Sequence, residues 1–187
     1  MADLRAKNKL MMLAYQGAKD SNAGNSEVLA VRQQVASLKG NQLPEDVAKA
    51  TKDIDVKLAT FGGVVASRVA GGFGGPRGRG NVLPPGAIKP FNTLNGSFDA
   101  IVSTSQVGLD EAPTQAEIDT WEDDCKDYNA TVAAWKKMLS QDLAAFNTLL
   151  SRTHLNPLHL SPTALNHPSC AFTTPTAPRA PKAPVKK

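Results

Sequence analysis

A long hydrophobic stripe in the C-terminal half most constrains the fold. Between Pro113 and Arg152, apolar or semi-polar residues recur at alternating spacings of three and four over several heptads. They are Ile118, Trp121, Cys125, Tyr128, Val132, Trp135, Leu139, Phe146 and Leu149. This spacing places them on one face of a single helix. Asp142 interrupts the stripe, and the adjacent Leu143 can take over its contact. Because an isolated helix is marginal in water, the stripe must pack against other segments.

The start of this helix carries its own sequence signature. Thr114 and Glu117 have the spacing of a capping box, in which each side chain bonds the backbone N–H of the other residue. Acidic residues crowd the N-terminal end, and Lys136, Lys137 and Arg152 come later, an order that suits the helix dipole.

Three further segments carry helical stripes. Residues 2–38 form one long helix that is weakened at SNAGNS (21–26), residues 44–61 form a second, and residues 88–105 a third, with Pro90 tolerated in its first turn. The sequence therefore predicts an all-α fold: a four-helix bundle of two antiparallel hairpins, residues 1–61 and 88–160. A glycine-rich, flexible crossover, residues 62–87, joins them, and residues 161–187 form a disordered Pro/Lys tail.

Charge and hydropathy exclude some classes of protein. The net charge is +4, but Arg179, Lys182, Lys186 and Lys187 lie in the last nine residues, and the other 17 of the 21 basic residues balance the 17 acidic ones. A large nucleic-acid-binding face on the fold is therefore not expected. We expect no membrane span and see no signal peptide, while the compartment stays unknown.

No catalytic, cofactor or metal site is expected. His154, His159, His167 and Cys170 are the only cluster of metal-ligand types, but prolines interrupt it and no rigid scaffold is predicted there. The chain contains no Glu-x-x-His pair, which a di-iron bundle requires. The two cysteines, Cys125 and Cys170, do not make a disulfide framework. The sequence therefore predicts a protein that is not an enzyme.

Two groups of residues are candidates for interaction. Trp121, Tyr128 and Trp135 recur every seven residues and are either core residues, interface anchors or a stacking platform. Arg77 and Arg79, in GGFGGPRGRG, resemble RGG-type segments that follow a nucleic-acid backbone, although a plain linker is the simpler interpretation.

The segment from Ala112 to Leu158 resembles the C-terminal helical region of bacterial BNR-repeat proteins related to the sortilin (VPS10) β-propellers. The resemblance rests on a Pro-Thr helix start, a tryptophan in a long helix and the pattern DL..FN.LL followed by Asn-Pro-Leu, here Pro113-Thr114, Trp135, Asp142-Leu143, Phe146-Asn147, Leu149-Leu150 and Asn156-Pro157-Leu158. It extends over about residues 2–160. The Asp-box repeats of the propeller do not occur, so the resemblance implies the accessory region without the propeller, and an exported parent protein.

These observations lead to two functional hypotheses. The first is a non-catalytic helical module that packs against a propeller domain of a parent or neighbouring protein, or against a second copy of itself. The alternative is a binder of nucleic acid or of an anionic surface, which would use the Gly-Arg loop and the basic tail. Steep salt dependence would identify the alternative, since phosphate contacts weaken as salt rises.

Overall fold

The structure is a computed structural model that describes residues 2–38, 43–62, 87–106, 111–160 and 164–173. Over these residues the protein is all-α and contains no β-strand. The elements are α1 (Ala2–Leu38), α2 (Glu45–Ala59), α3 (Phe91–Gln106), α4 (Gln115–Met138), a π-helical turn (Leu139–Leu143) and α5 (Ala144–Arg152).

The helix predictions are confirmed, with differences at the ends. α1 is a single helix that runs through SNAGNS, and α2 and α3 begin one and three residues later than predicted. The capping box is present: the Glu117 N–H donates to Thr114 Oγ1 at 3.2 Å, and the Thr114 N–H donates to Glu117 Oε2 at 2.8 Å.

The break in the stripe coincides with the π-helical turn between α4 and α5. A π turn inserts an extra residue and changes which side chains face inward. Leu143 is buried there, as expected from its position beside Asp142. Asp142 instead faces α2 and forms an ion pair with Lys57. The turn thus keeps the hydrophobic face of this long helix continuous.

α2 and α3 lie end to end along α1. The Phe91 N–H, at the start of α3, donates to the Phe61 carbonyl, just after α2, at 2.8 Å. α2 pairs with the second half of α1 through an Arg32–Asp55 ion pair of 2.9 Å, while α3 packs on the first half. α4 and α5 run alongside this column: α4 contacts α3, and α5 contacts α2. The helices are thus arranged in three columns, α1, α2 with α3, and α4 with α5.

This arrangement does not confirm the predicted four-helix bundle of two hairpins. In a bundle of two hairpins, α2 and α3 would be separate rods of the bundle, joined by the crossover. Instead, residues 62 and 87, which flank the glycine-rich segment, lie near the same junction, because Phe61 and Phe91 are hydrogen-bonded. Residues 63–86 themselves lie outside the described residues.

Two glycines of α1 allow α3 to approach closely. An added Cβ at Gly24 would lie 2.8 Å from ring atoms of Phe91, and one at Gly17 would lie 2.9 Å from the ring of Phe98. Both rings are fully or almost fully buried. Gly17 and Gly24 are seven residues apart, so they form two successive recesses on one helix face. The two phenylalanines occupy these recesses.

Gly24→Ala is expected to lower the free energy of unfolding by about 1–3 kcal/mol, because the new methyl group overpacks the interface with Phe91. Gly96→Ala is the matched control. Gly96 is a helical glycine of α3 with no atom within 4 Å of an added Cβ. The Gly96→Ala substitution should raise the free energy of unfolding by about 0.5–1 kcal/mol, because alanine has a higher helix propensity than glycine. Urea denaturation measures both, and equal stabilisation by the two changes would contradict the close packing.

Candidate interaction surface

The three aromatic residues of the α4 stripe lie in the core. Trp121, Tyr128 and Trp135 are 2%, 1% and 1% exposed. The Trp135 ring lies 5.2 Å from the ring of Phe61 and 6.5 Å from that of Phe91, centroid to centroid. In the described fold these side chains are used in packing and are not accessible, which fits their interpretation as core residues. Arg77 and Arg79, the other candidates, lie outside the described residues.

The Tyr128 hydroxyl is a buried polar group within this core. It makes no hydrogen bond among the described residues, and burial raises the pKa of Tyr128 above its ordinary value, with Asp20 and Glu27 adding to the shift. Tyr128 lines a cavity of about 50 Å³ together with Asp20, Asn166 and other residues. That volume is far below the several hundred Å³ of a typical small-molecule site. It matches one or two water molecules, which occupy about 30 Å³ each.

A buried ion pair ties α1 to the start of α4. Lys7 Nζ donates to Glu117 Oε1 at 2.7 Å and to Oε2 at 2.9 Å, and both side chains are largely buried. Burial would raise the pKa of Glu117, but the hydrogen bonds from Lys7 and Thr114 outweigh it, so the pKa lies below its ordinary value. Glu117 thus stays ionised and completes both the capping box and the link between helices.

A second cation holds the segment that leads into α3. Lys89 Nζ lies 3.0 Å from Asp124 Oδ1 and 2.7 Å from Asp127 Oδ2, and its carbonyl accepts a hydrogen bond of 2.8 Å from Thr131 Oγ1. Burial would lower the pKa of Lys89, but the hydrogen bonds to Asp127 and Asp124 raise it. Asp124 and Asp127 of α4 therefore pair with Lys89 and help to hold the segment that leads into α3.

The segment after α5 forms an extended strap, which we define as residues 155–160 and 164–173. It runs antiparallel to α1. His159 exchanges backbone hydrogen bonds of 2.8 and 2.7 Å with the Gln34 side chain, Asn166 Nδ2 donates to Asp20 Oδ2 at 3.2 Å, and Lys9 Nζ donates to the Thr173 carbonyl at 2.7 Å. The strap thus passes from the C-terminal to the N-terminal end of α1.

A disulfide joins the strap to α4. Cys170 is bonded to Cys125, with the two Cα atoms 5.5 Å apart and 45 residues apart in sequence. Around the bond, Asn129 Nδ2 donates to the Pro168 carbonyl at 3.0 Å, the Phe172 N–H donates to Glu122 Oε1 at 2.9 Å, and the Phe172 ring lies edge-on to Trp121. Hydrogen bonds, ring packing and a covalent bond therefore hold the same short segment.

The strap corrects part of the predicted disordered tail. Residues 164–173, which composition assigns to the tail of residues 161–187, are docked on α1 and α4. The rest of that tail, residues 161–163 and 174–187, lies outside the described residues. Two residues in the sequence are signs of this docking. Cys170 is a second cysteine that can pair with Cys125, and Leu165 is an apolar residue, which the structure shows to be buried. Neither sign specifies its partner without the tertiary structure.

Two of the residues quoted for the resemblance, Asn147 and Leu158, form a corner at the end of α5. The Asn147 side chain donates to the Leu158 carbonyl at 3.1 Å and accepts from the Leu158 N–H at 2.8 Å, while the Leu158 side chain is buried. His154 turns the chain with a positive φ of 58°, and the Leu155 N–H closes the helix end on the Leu150 carbonyl at 2.9 Å. Asn147 and Leu158 thus fix the start of the strap.

Among the described residues, open grooves lie between the helices at two places. One, of about 370 Å³, lies between α2 and the π turn with α5 and includes Asp53, Lys57 and Asp142. The other, of about 350 Å³, lies between α3 and α4 and includes Thr104, Thr120 and Glu117. Across the described ranges, no three or more His, Cys, Asp or Glu side chains are grouped to hold a metal ion. The sulfur of Cys170 is bonded to Cys125 and is not a metal ligand.

No protein-family model matches the chain, and comparisons with curated proteins and with solved structures found no match. The resemblance to the BNR-repeat proteins therefore stays a prediction. In the part of the chain that the structure describes, none of the helices has the length and apolar character needed to cross a membrane.

Proposed function

We propose that this chain is a non-catalytic helical module that binds and positions a partner protein. The observation that carries the proposal is that aromatic and charged side chains of this chain pack the core and link the helices of the described fold. Trp121, Tyr128 and Trp135 fill the core, and the largely buried Lys7–Glu117 pair connects helices. These are features of a rigid support whose outer surfaces and grooves are available to a partner.

The proposed partner is a BNR-repeat β-propeller, for which this chain would be the accessory C-terminal region. Support comes from the corner at Asn147 and Leu158, since these two residues of the resemblance are hydrogen-bonded to each other. The Cys125–Cys170 disulfide also supports it, because disulfides persist in oxidising compartments and the resemblance implies an exported parent protein. The glycine-rich crossover at residues 62–87 and a four-helix bundle stay predictions of the sequence.

Size-exclusion chromatography with light scattering tests this function. The full chain alone is expected at the mass of one copy, 19.8 kDa, and mixed with a BNR-repeat propeller encoded in the same genome it should elute as a one-to-one complex. A chain that elutes alone as a dimer would indicate self-association instead. Failure to bind any of the propellers of that genome would overturn the propeller partner.

A further inference from the structure

The N-terminal half of α1 has an apolar face that no part of the described fold covers. Leu4, Met12 and Tyr15 are 46%, 56% and 56% exposed. They lie opposite the side of α1 that packs on α3, where Ala6, Leu10 and Ala14 are buried.

Cations share this face with the apolar residues. At 100° per residue, six exposed residues fall within about 100° of arc. We call them the α1 outer face: Leu4, Arg5, Asn8, Met12, Tyr15 and Lys19. Residues 4–19 contain no acidic side chain, and Asp3 and Asp20 mark the ends of this stretch. The one buried cation there, Lys7, is paired with Glu117 on the inner side. The outer face is therefore both apolar and positively charged.

The strap is followed in sequence by further positive charge. It ends at Thr173, whose carbonyl accepts a hydrogen bond from Lys9 of α1. The 14 residues that follow carry Arg179, Lys182, Lys186 and Lys187 and no acidic residue. In sequence, Arg179 is the first of these four cations and comes six residues after Thr173, which is hydrogen-bonded to Lys9. Fourteen residues can extend by roughly 45 Å, so they can reach any part of that face.

We propose that the α1 outer face binds the surface of an anionic phospholipid bilayer. Leu4, Met12 and Tyr15 enter the boundary between headgroups and acyl chains, and Arg5 and Lys19 contact lipid phosphates. A helix with an apolar face flanked by Lys and Arg lies in this boundary layer, and a polybasic segment adds electrostatic attraction. A stable protein interface needs about 800 Å² from each partner, more than three side chains on one helix provide. Nucleic acid would use the cations and leave the three apolar side chains without a role.

Co-sedimentation of the full chain with lipid vesicles tests this proposal. Vesicles of phosphatidylcholine with phosphatidylglycerol should bind the protein at low salt, and vesicles of phosphatidylcholine alone should bind it far more weakly. Met12→Ser combined with Tyr15→Ser should reduce the partition coefficient by about tenfold or more, because two apolar side chains no longer enter the bilayer. Lys19→Gln should reduce it by about fivefold.

Val56→Ser is the matched control. Val56 is an exposed apolar residue of α2, 69% accessible, and lies outside the α1 outer face. Its replacement should leave vesicle binding unchanged, and far-UV circular dichroism should show the same helicity in all variants. This experiment involves no propeller, so its outcome is independent of the proposed partner protein.

Two results would overturn the proposal. One is the absence of binding to anionic vesicles at low salt. The other is full binding by the Met12→Ser/Tyr15→Ser variant, because these apolar side chains would then not enter the bilayer. Equal binding of the wild type to single-stranded RNA would in that case assign the interaction to a general polyanion.

Discussion

Trp135→Ala is expected to lower the free energy of unfolding by about 3–5 kcal/mol, the range for removing a large aromatic side chain from a packed core. Trp135 lies where the three columns meet. Its ring packs on Phe61 at the end of α2 and on Phe91 at the start of α3. Its indole N–H donates to Glu27 Oε2 of α1 at 2.9 Å, and Glu27 is itself buried. The substitution therefore leaves a cavity and also removes a donor from a buried carboxylate.

Urea denaturation followed by far-UV circular dichroism measures this loss. Trp135→Phe separates the two contributions, because it keeps a ring in the core and removes only the indole N–H. We expect Trp135→Phe to lower the free energy of unfolding by less than Trp135→Ala does. The difference between the two variants measures the contribution of the cavity. A denaturation midpoint for Trp135→Ala equal to that of the wild type would show that Trp135 is not at the junction of the columns.

The helices could be predicted because their determinants are local. The capping pair Thr114 and Glu117 lies within one turn, and the α4 stripe follows from spacing alone. The sequence also predicts that Leu143 takes the place of the adjacent Asp142 in the hydrophobic stripe, and Leu143 is buried in the structure. Each of these features depends on residues a few positions apart, which is the range over which sequence patterns are informative.

The relative placement of the helices could not be predicted in the same way. A stripe shows that a helix is buried on one face but not which helix covers it. Gly24 lies in SNAGNS, which resembles a weak point in a helix, yet it is a recess for Phe91. Its role depends on a residue 67 positions away in the chain. The end-to-end placement of α2 and α3 likewise depends on the contact between Phe61 and Phe91.

The strap was missed for a related reason. Composition alone assigns residues 161–187, which are rich in proline and polar groups, to a disordered tail, and residues 164–173 of the strap fall within that range. Its docking depends on side chains of α1 and α4, such as Gln34, Asn129 and Glu122, which donate to or accept from its backbone. An extended segment without periodicity of its own can be ordered entirely by its neighbours, and no local pattern reports this.

Replacing both Cys125 and Cys170 by Ser is expected to lower the free energy of unfolding by about 2–4 kcal/mol. The bond closes a loop of 45 residues in the unfolded chain, and its removal restores that conformational freedom. The strap should also loosen, since Phe172 is held beside Trp121 only two residues from the bond. Urea denaturation measures the first effect. Limited proteolysis with mass spectrometry measures the second, as faster cleavage within residues 164–173.

Asn129→Ala and a reducing agent provide the controls. Asn129→Ala removes the hydrogen bond to the Pro168 carbonyl but keeps the covalent link, so it should loosen the strap less than the double serine variant does. Dithiothreitol should destabilise the wild type by as much as the double substitution and should leave the double variant unchanged. Titration of two free thiols in the unfolded wild type without a reductant would contradict the bond.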